Sequence, residues 1–194
     1  MKKILITMRE GYNNECSIDI IDKRLISFVE KCNFLPVVAP NNLFLIKELI
    51  KIKLDGVILS GGDNILSLGG SEIRDSVENE IIKHSIKNQI PVIGICRGMQ
   101  KIQDFFGDTL EPTPNNVSET QEILINNDKH IVNSFHDYGT YKDSNNFTTW
   151  AKGNDGVIKA IYHNQYKFLG IMWHPERINP FRENDINYFV NFFK

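Results

Sequence analysis

Short apolar runs alternate, along the first half of the chain, with longer segments whose apolar residues recur every three to four positions. The runs Lys3 to Met8, Phe34 to Ala39, Asp55 to Leu59 and Pro91 to Ile95 are too short for helices and predict buried strands. Between them, Asp19 to Lys31, Asn42 to Lys51 and Asp75 to Lys87 predict helices, the first with Ile20, Ile21, Leu25, Phe28 and Val29 turned inward. Strands and helices in alternation predict an α/β fold, a central, mostly parallel sheet flanked by helices and joined by right-handed crossovers.

The pattern changes from Thr109 to Tyr141, where Pro112, Pro114 and the pair Asn115-Asn116 break any helix. Thr120 to Asn126 and His130 to Ser134 then predict strands joined by a turn at Asn127-Asp-Lys129, a small antiparallel excursion. Thr148 to Lys152 and Gly156 to Tyr162 predict a further pair of strands, with Asn154-Asp-Gly156 as the hairpin signal. A strand from Lys167 to Trp173 and a helix from Asn184 to Phe193, striped by Ile186, Phe189, Val190 and Phe193, close the chain.

A length of 194 residues predicts one domain, 1–194. A formal net charge of −2 argues against a nucleic-acid partner and points to a small molecule. The three cysteines, Cys16, Cys32 and Cys96, have neither metal-site spacing nor a disulfide framework, which fits a reducing cytoplasm without a metal. The opening apolar run meets Arg9-Glu10 too soon for a signal peptide, and no stretch reaches membrane-spanning length.

The candidate chemistry is at Pro91-Val-Ile-Gly-Ile-Cys-Arg-Gly-Met-Gln100. A buried strand turns sharply into a helix predicted from Met99 to Phe106, with Cys96 at the turn and Gly94 and Gly98 two residues either side. This is the spacing of a nucleophile elbow, with cysteine in place of serine. A sulfur at a helix N-terminus is favoured as thiolate, the Arg97 amide points toward any oxyanion formed there, and Gln100 lies one turn on along the same face. A base for the thiol is offered by Trp173-His-Pro-Glu176: in an extended segment Glu176 points the same way as His174 and orients its imidazole. Ser60-Gly-Gly-Asp63 ends a strand on the same sheet edge, its glycines letting backbone approach a ligand. The following Leu68-Gly-Gly-Ser71 reads as a mobile loop, and no P-loop or dinucleotide fingerprint occurs, so no cofactor is expected.

Gly94-Ile-Cys-Arg-Gly-Met-Gln100 together with Trp173-His-Pro-Glu176 resembles the class I glutamine amidotransferase superfamily, and the arginine after the cysteine resembles its γ-glutamyl hydrolase branch. The likeness runs from the first strand to the last helix and implies a flavodoxin-like fold with a Cys96-His174-Glu176 triad. It implies further that the Gly62 amide joins that of Arg97 as oxyanion donor, with Gly61 beside it. Val132-Asn-Ser-Phe-His136 resembles the family's glutamyl-binding loop, so Ser134, Phe135 and His136 are expected to hold substrate. Arg74-Asp75 resembles a family pair that opens a helix. Arg9, Arg74, Arg97 and Arg177 fall beside strand ends or motif loops and are candidates for an anionic, nucleotide-bearing leaving group. Three readings stand: a stand-alone γ-glutamyl hydrolase, a glutaminase subunit passing ammonia to a synthetase partner and, ranked last because all three triad residues are present, a ligand-binding module without turnover.

Overall fold

The computed structural model describes all 194 residues. In chain order the elements are β1 (Lys2–Thr7), β2 (Arg9–Asn13), β3 (Cys16–Ile20), α1 (Lys23–Lys31), β4 (Phe34–Ala39), α2 (Leu43–Leu49), β5 (Gly56–Leu59), α3 (Glu72–Asn88), β6 (Val92–Ile95) and α4 (Arg97–Phe105). Then follow β7 (Glu111–Pro112), β8 (Val117–Ile125), β9 (Asp128–Phe135), β10 (Tyr138–Gly139), β11 (Phe147–Gly153), β12 (Ile158–His163), β13 (Phe168–Ile171) and α5 (Glu183–Phe192).

Nine strands form one sheet in the order β4-β1-β5-β6-β13-β12-β11-β8-β9. The first five run parallel, and from β13 outward every pairing is antiparallel, so the predicted excursion continues the main sheet. Alternation along the strands separates the core into two layers: Ile4, Ile6 and Ile93 face Phe28, Phe189 and Phe193, while Leu5, Val57 and Val92 face Ile81, Met99 and Ile102. No helix is long and apolar enough to cross a membrane.

The topology fixes where chemistry can occur. β6 lies between β5 and β13, with Leu59 beside Gly94 and Ile171 beside Ile95. The segments leaving the carboxyl ends of these three strands, which start at Ser60, Cys96 and Met172, therefore meet at one edge, where open α/β sheets bind ligands.

Several expected boundaries are corrected. The helix expected from Asp19 starts at Lys23, capped by the Asp22 side chain, which accepts from the Arg24 amide at 2.9 Å. Asp19 and Ile20 instead belong to a hairpin with Arg9–Asn13, turned by Asn14 and Glu15 at positive φ. Capped by Ser71, α3 begins at Glu72, three residues before its expected start, and α4 begins directly after Cys96. The expected turn at 127–129 is made by Asn126 and Asn127, both at positive φ. Leu68-Gly-Gly-Ser71 leaves a 3-10 turn at Leu66–Leu68, with Gly69 at φ +83° and Gly70 against the Asn64 carbonyl.

Candidate active site

Cys96 stands between β6 and α4 with φ 51° and ψ −106°, a conformation that costs a non-glycine residue on the order of 1–3 kcal/mol. Its neighbours hold it there: the Cys96 amide donates to the Ile171 carbonyl at 2.7 Å, and its carbonyl accepts from Gln100 at 3.1 Å. The flanking glycines make the turn possible, since a Cβ on Gly98 would overlap the Leu59 carbonyl and one on Gly94 the Gly98 carbonyl. The Arg97 amide is the first N–H of α4 and has no acceptor within the helix.

His174 Nδ1 and Glu176 Oε1 are 2.6 Å apart, and both side chains are buried. The expected extended segment is corrected: Pro175–Arg177 form a single 3-10 turn, and it is this turn that folds Glu176 back onto the imidazole. Asn133 clamps the backbone of His174 from both sides, accepting from its amide at 2.7 Å and donating to its carbonyl at 2.9 Å. Burial disfavours the imidazolium, but the Cys96 sulfur and the Glu176 carboxylate outweigh it and lift His174 to about 9. The neighbouring sulfur and carboxylate therefore favour the imidazolium form of His174 at neutral pH. As a thiol, Cys96 has the Phe135 carbonyl for an acceptor at 3.7 Å.

The glycine loop is gripped from beneath. Arg74 is wholly buried and donates to the carbonyls of Ser60 at 2.8 Å, Gly61 at 3.3 Å and Gly62 at 2.7 Å. With these carbonyls drawn to one guanidinium and Gly62 at φ +88°, the loop presents its other side to the cleft, Gly61 lying against the His174 ring. Arg97 sends its side chain the same way, to Glu78, to Asp75 at 2.7 Å and to the Asn64 carbonyl at 3.1 Å. Glu78 also binds Arg74 at 3.2 Å and Thr7 at 3.0 Å, and Lys101 pairs with Asp75. The guanidinium groups of Arg74 and Arg97 are thus unavailable to substrate, a correction to their expected role. Both are anchors of the elbow and the loop.

The side chains of the expected glutamyl-binding loop are also engaged within the chain. Ser134 Oγ donates to the Asn116 carbonyl at 2.7 Å, and both ring nitrogens of His136 are engaged within the chain. These two buried side chains brace the loop, while Phe135 lies beside His174 with ring centroids 5.9 Å apart. Gln100, also buried, spends an amide hydrogen on the Tyr138 carbonyl at 2.8 Å.

A cavity of about 40 Å³ opens beside His174, lined by Arg9, Gly61, Gly62, Glu176 and Arg177 among others. Of the four candidate arginines, Arg9 is exposed and Arg177 is partly exposed, its guanidinium 5.0 Å from the Phe135 ring centroid. Another depression, about 810 Å³, lies at the other end of β1 among surface lysines, away from this chemistry. No cluster of three or more His, Cys, Asp or Glu side chains is placed to hold a metal ion. Asn133, Lys159 and Glu78 escaped the sequence reading. For Asn133 the signal was its place inside the Val132–His136 motif, and for Glu78 its spacing of four residues from Arg74.

Comparisons with known proteins agree with this fold. The family model described as glutamine amidotransferase class-I matches residues 17–194. The gamma-glutamyl-CDP-amidate hydrolase of Campylobacter jejuni is 35% identical over 136 residues, covering 69% of this chain and 66% of that protein, so the chain spans just under two thirds of its length. Anthranilate synthase component 2 of Cyanophora paradoxa is 28% identical over 174 residues, covering 82% of this chain and 87% of that protein. Among solved structures, a glutamine amidotransferase from Thermotoga maritima superposes with a TM-score of 0.67 at 14% identity, covering 98% of this chain and 83% of the other. A Thermoplasma acidophilum protein described as part of a GMP synthase superposes with a TM-score of 0.76 at 19% identity, covering 100% of this chain and 92% of the other. Both structural matches speak to the fold. With nearly its whole length matched by the family model and its elbow in place, this chain belongs to the glutamine amidotransferase class-I family.

Proposed function

We propose that this chain is a cytoplasmic cysteine hydrolase of one domain that cleaves a γ-glutamyl amide bond, with Cys96 as nucleophile, His174 as acid and base, and Glu176 as orienter. The observation that carries the reading is the buried His174–Glu176 contact at 2.6 Å beside a cysteine held at a nucleophile elbow. The thiolate attacks the γ-carbonyl carbon, and the carbonyl electrons move onto oxygen, which the Arg97 and Gly62 amides receive. On collapse the C–N bond breaks, the His174 imidazolium protonates the departing nitrogen, and a γ-glutamyl thioester remains. Water then loses a proton to His174 as it attacks the thioester, and scission of the C–S bond frees glutamate and restores the thiolate. The sequence is a closed cycle that needs no cofactor.

For the leaving group we infer a nucleotide-bearing amine, with γ-glutamyl-CDP-amidate giving glutamate and CDP-amidate in capsule polysaccharide modification. The 35% identity to the Campylobacter jejuni protein supports this, as do the guanidinium groups of Arg9 and Arg177 lining the cavity beside His174, which suit a diphosphate. A second reading, a glutaminase subunit serving a synthetase partner, draws support from the match to anthranilate synthase component 2 over 87% of that protein.

One assay separates them: glutamate release by the purified chain from glutamine, a γ-glutamyl alkylamine and γ-glutamyl-CDP-amidate, with Cys96→Ala as control. The hydrolase reading expects the nucleotide substrate to be preferred and the control to be inactive. Turnover of glutamine alone, slow and raised by a partner, selects the glutaminase reading. Turnover by Cys96→Ala overturns both.

A further inference from the structure

Lys159, on β12, has no part in the mechanism above, and its setting is unlike that of any other buried cation in the molecule. Arg74, Arg97 and Lys101 each meet carboxylates, whereas the Lys159 ammonium, 1% exposed, has no carboxylate within ion-pair distance. It donates instead to neutral acceptors: Asn116 Oδ1, His136 Nε2 at 2.8 Å and, at 3.4 Å, Ser134 Oγ. A buried ammonium without a counter-ion costs stability.

Its contacts lead to the sulfur. Because His136 Nε2 accepts from an ammonium, the imidazole carries its proton on Nδ1 and donates it to the Tyr138 carbonyl at 3.0 Å, the carbonyl that also accepts from Gln100 on α4. Ser134 and His136 are thus fixed from behind, and the residue between them is Phe135, whose carbonyl lies 3.7 Å from Cys96 Sγ.

We propose that Lys159 is a positioning residue for Cys96: it braces the segment Ser134–His136 against the sulfur and supplies the buried positive charge that favours the thiolate. The charged and titratable groups around it are His136, Asp155 on the β11–β12 turn, and Cys96. Burial lowers Lys159 to about 8, while Asp155 and the Cys96 thiolate oppose the fall. Burial and the neighbouring ammonium drive His136 down to about 3, so it stays neutral and adds no competing charge. Attraction between two titrating groups is reciprocal, so a thiolate that steadies the ammonium is itself steadied by it.

The proposal rests on Cys96 being the nucleophile, and it is tested without substrate, so its failure is separate from failure of the γ-glutamyl reading. The measurement is the rate of iodoacetamide alkylation at Cys96 against pH, followed on the Cys96 peptide by mass spectrometry, in wild type, Lys159→Met and Lys159→Arg. On the acid limb, Lys159→Met is expected to react about three- to tenfold more slowly at the wild-type midpoint, the limb having moved to higher pH. Lys159→Arg, which keeps the charge, is expected to restore the wild-type midpoint. An unmoved midpoint in folded Lys159→Met, or the same displacement in both variants, overturns the proposal.

The converse reading needs no change at Lys159. In NMR spectra of chain labelled at lysine Cε, one lysine is expected to titrate near pH 8 and to move to lower pH in Cys96→Ala. A titration that ignores the loss of the sulfur overturns the proposal whether or not the lysine variants fold.

Discussion

The nucleophile elbow has a buried cationic region on each side, and the two are built on opposite plans. Toward α3 and α4, the cations of Arg74, Arg97 and Lys101 interlock with Glu78 and Asp75, and their remaining donors hold backbone carbonyls of residues 60–64. Toward β9 and β12, Lys159 stands alone among Asn116, Ser134 and His136. The first region fixes geometry. Burial works against the Glu78 carboxylate, but Arg97 and Arg74 hold its pKa below the ordinary range, so that carboxylate stays ionised at neutral pH. The second region carries a charge that burial brings down to about 8 and on which the Cys96 sulfur acts. Rigidity and reactivity are therefore separable, and each can be disturbed by itself.

The largest effect is expected from Glu78→Ala. It leaves the buried guanidinium groups of Arg74 and Arg97 short of a counter-charge, and breaking such a pair costs roughly 3–5 kcal/mol. Urea unfolding should show that loss at pH 7. Because the folded-state pKa of Glu78 is depressed, its stabilising contribution is complete above the usual glutamate value and fades as pH falls below it. The gap between wild type and variant should narrow on the acid side, and a gap that widened there would refute the matched-network account.

Next in size is Glu176→Gln, which spares both regions and disturbs the base between them. Without the carboxylate, His174 loses its orienter and part of what lifts it to about 9, so the imidazolium should be lost at lower pH. Turnover should fall by about 10²- to 10⁴-fold, less than in His174→Ala, and the alkaline limb of kcat/KM should move down. Stability in urea should hardly change. A variant as unstable as Glu78→Ala would mean that the base and the network are one unit.

How much of this was legible in the sequence follows the range of the contacts. The elbow is local: Gly94, Cys96 and Gly98 prescribe their own turn, and the structure places them as the spacing implies. His174 and Glu176 were legible as a pair, but the backbone joining them was not, because Pro175 at the start of a 3-10 turn and Pro in an extended segment look alike in a sequence. The last two residues of the hairpin, Asp19 and Ile20, read as the start of a helix because Asp19 and Asp22 are both acceptable caps, and only pairing with Arg9–Asn13 decides for Asp22. The arginines show the limit most plainly. An arginine after a strand reads the same whether it faces the cleft, as Arg9 does, or the core, as Arg74 does. Lys159 was invisible because its partners lie 23 to 43 positions away and none is acidic.

The finest adjustment to the comparison is Asp155→Asn. Asp155 accepts from Asn116 at 2.9 Å and from the Val157 amide at 3.1 Å, and it is the foremost of the charges that oppose the fall in the Lys159 pKa. An asparagine keeps the shape and one acceptor while removing the negative charge, so the turn should survive. The lysine titration should then move below its value near 8, because burial acts with less opposition. Above that point the ammonium is lost, so the Cys96 alkylation rate should begin to depart from the wild-type curve at a lower pH, by an amount smaller than Lys159→Met produces. If the titration of Lys159 moved while alkylation at Cys96 kept the wild-type profile, charge on this side of the elbow would not reach the sulfur, and the region would be a brace alone.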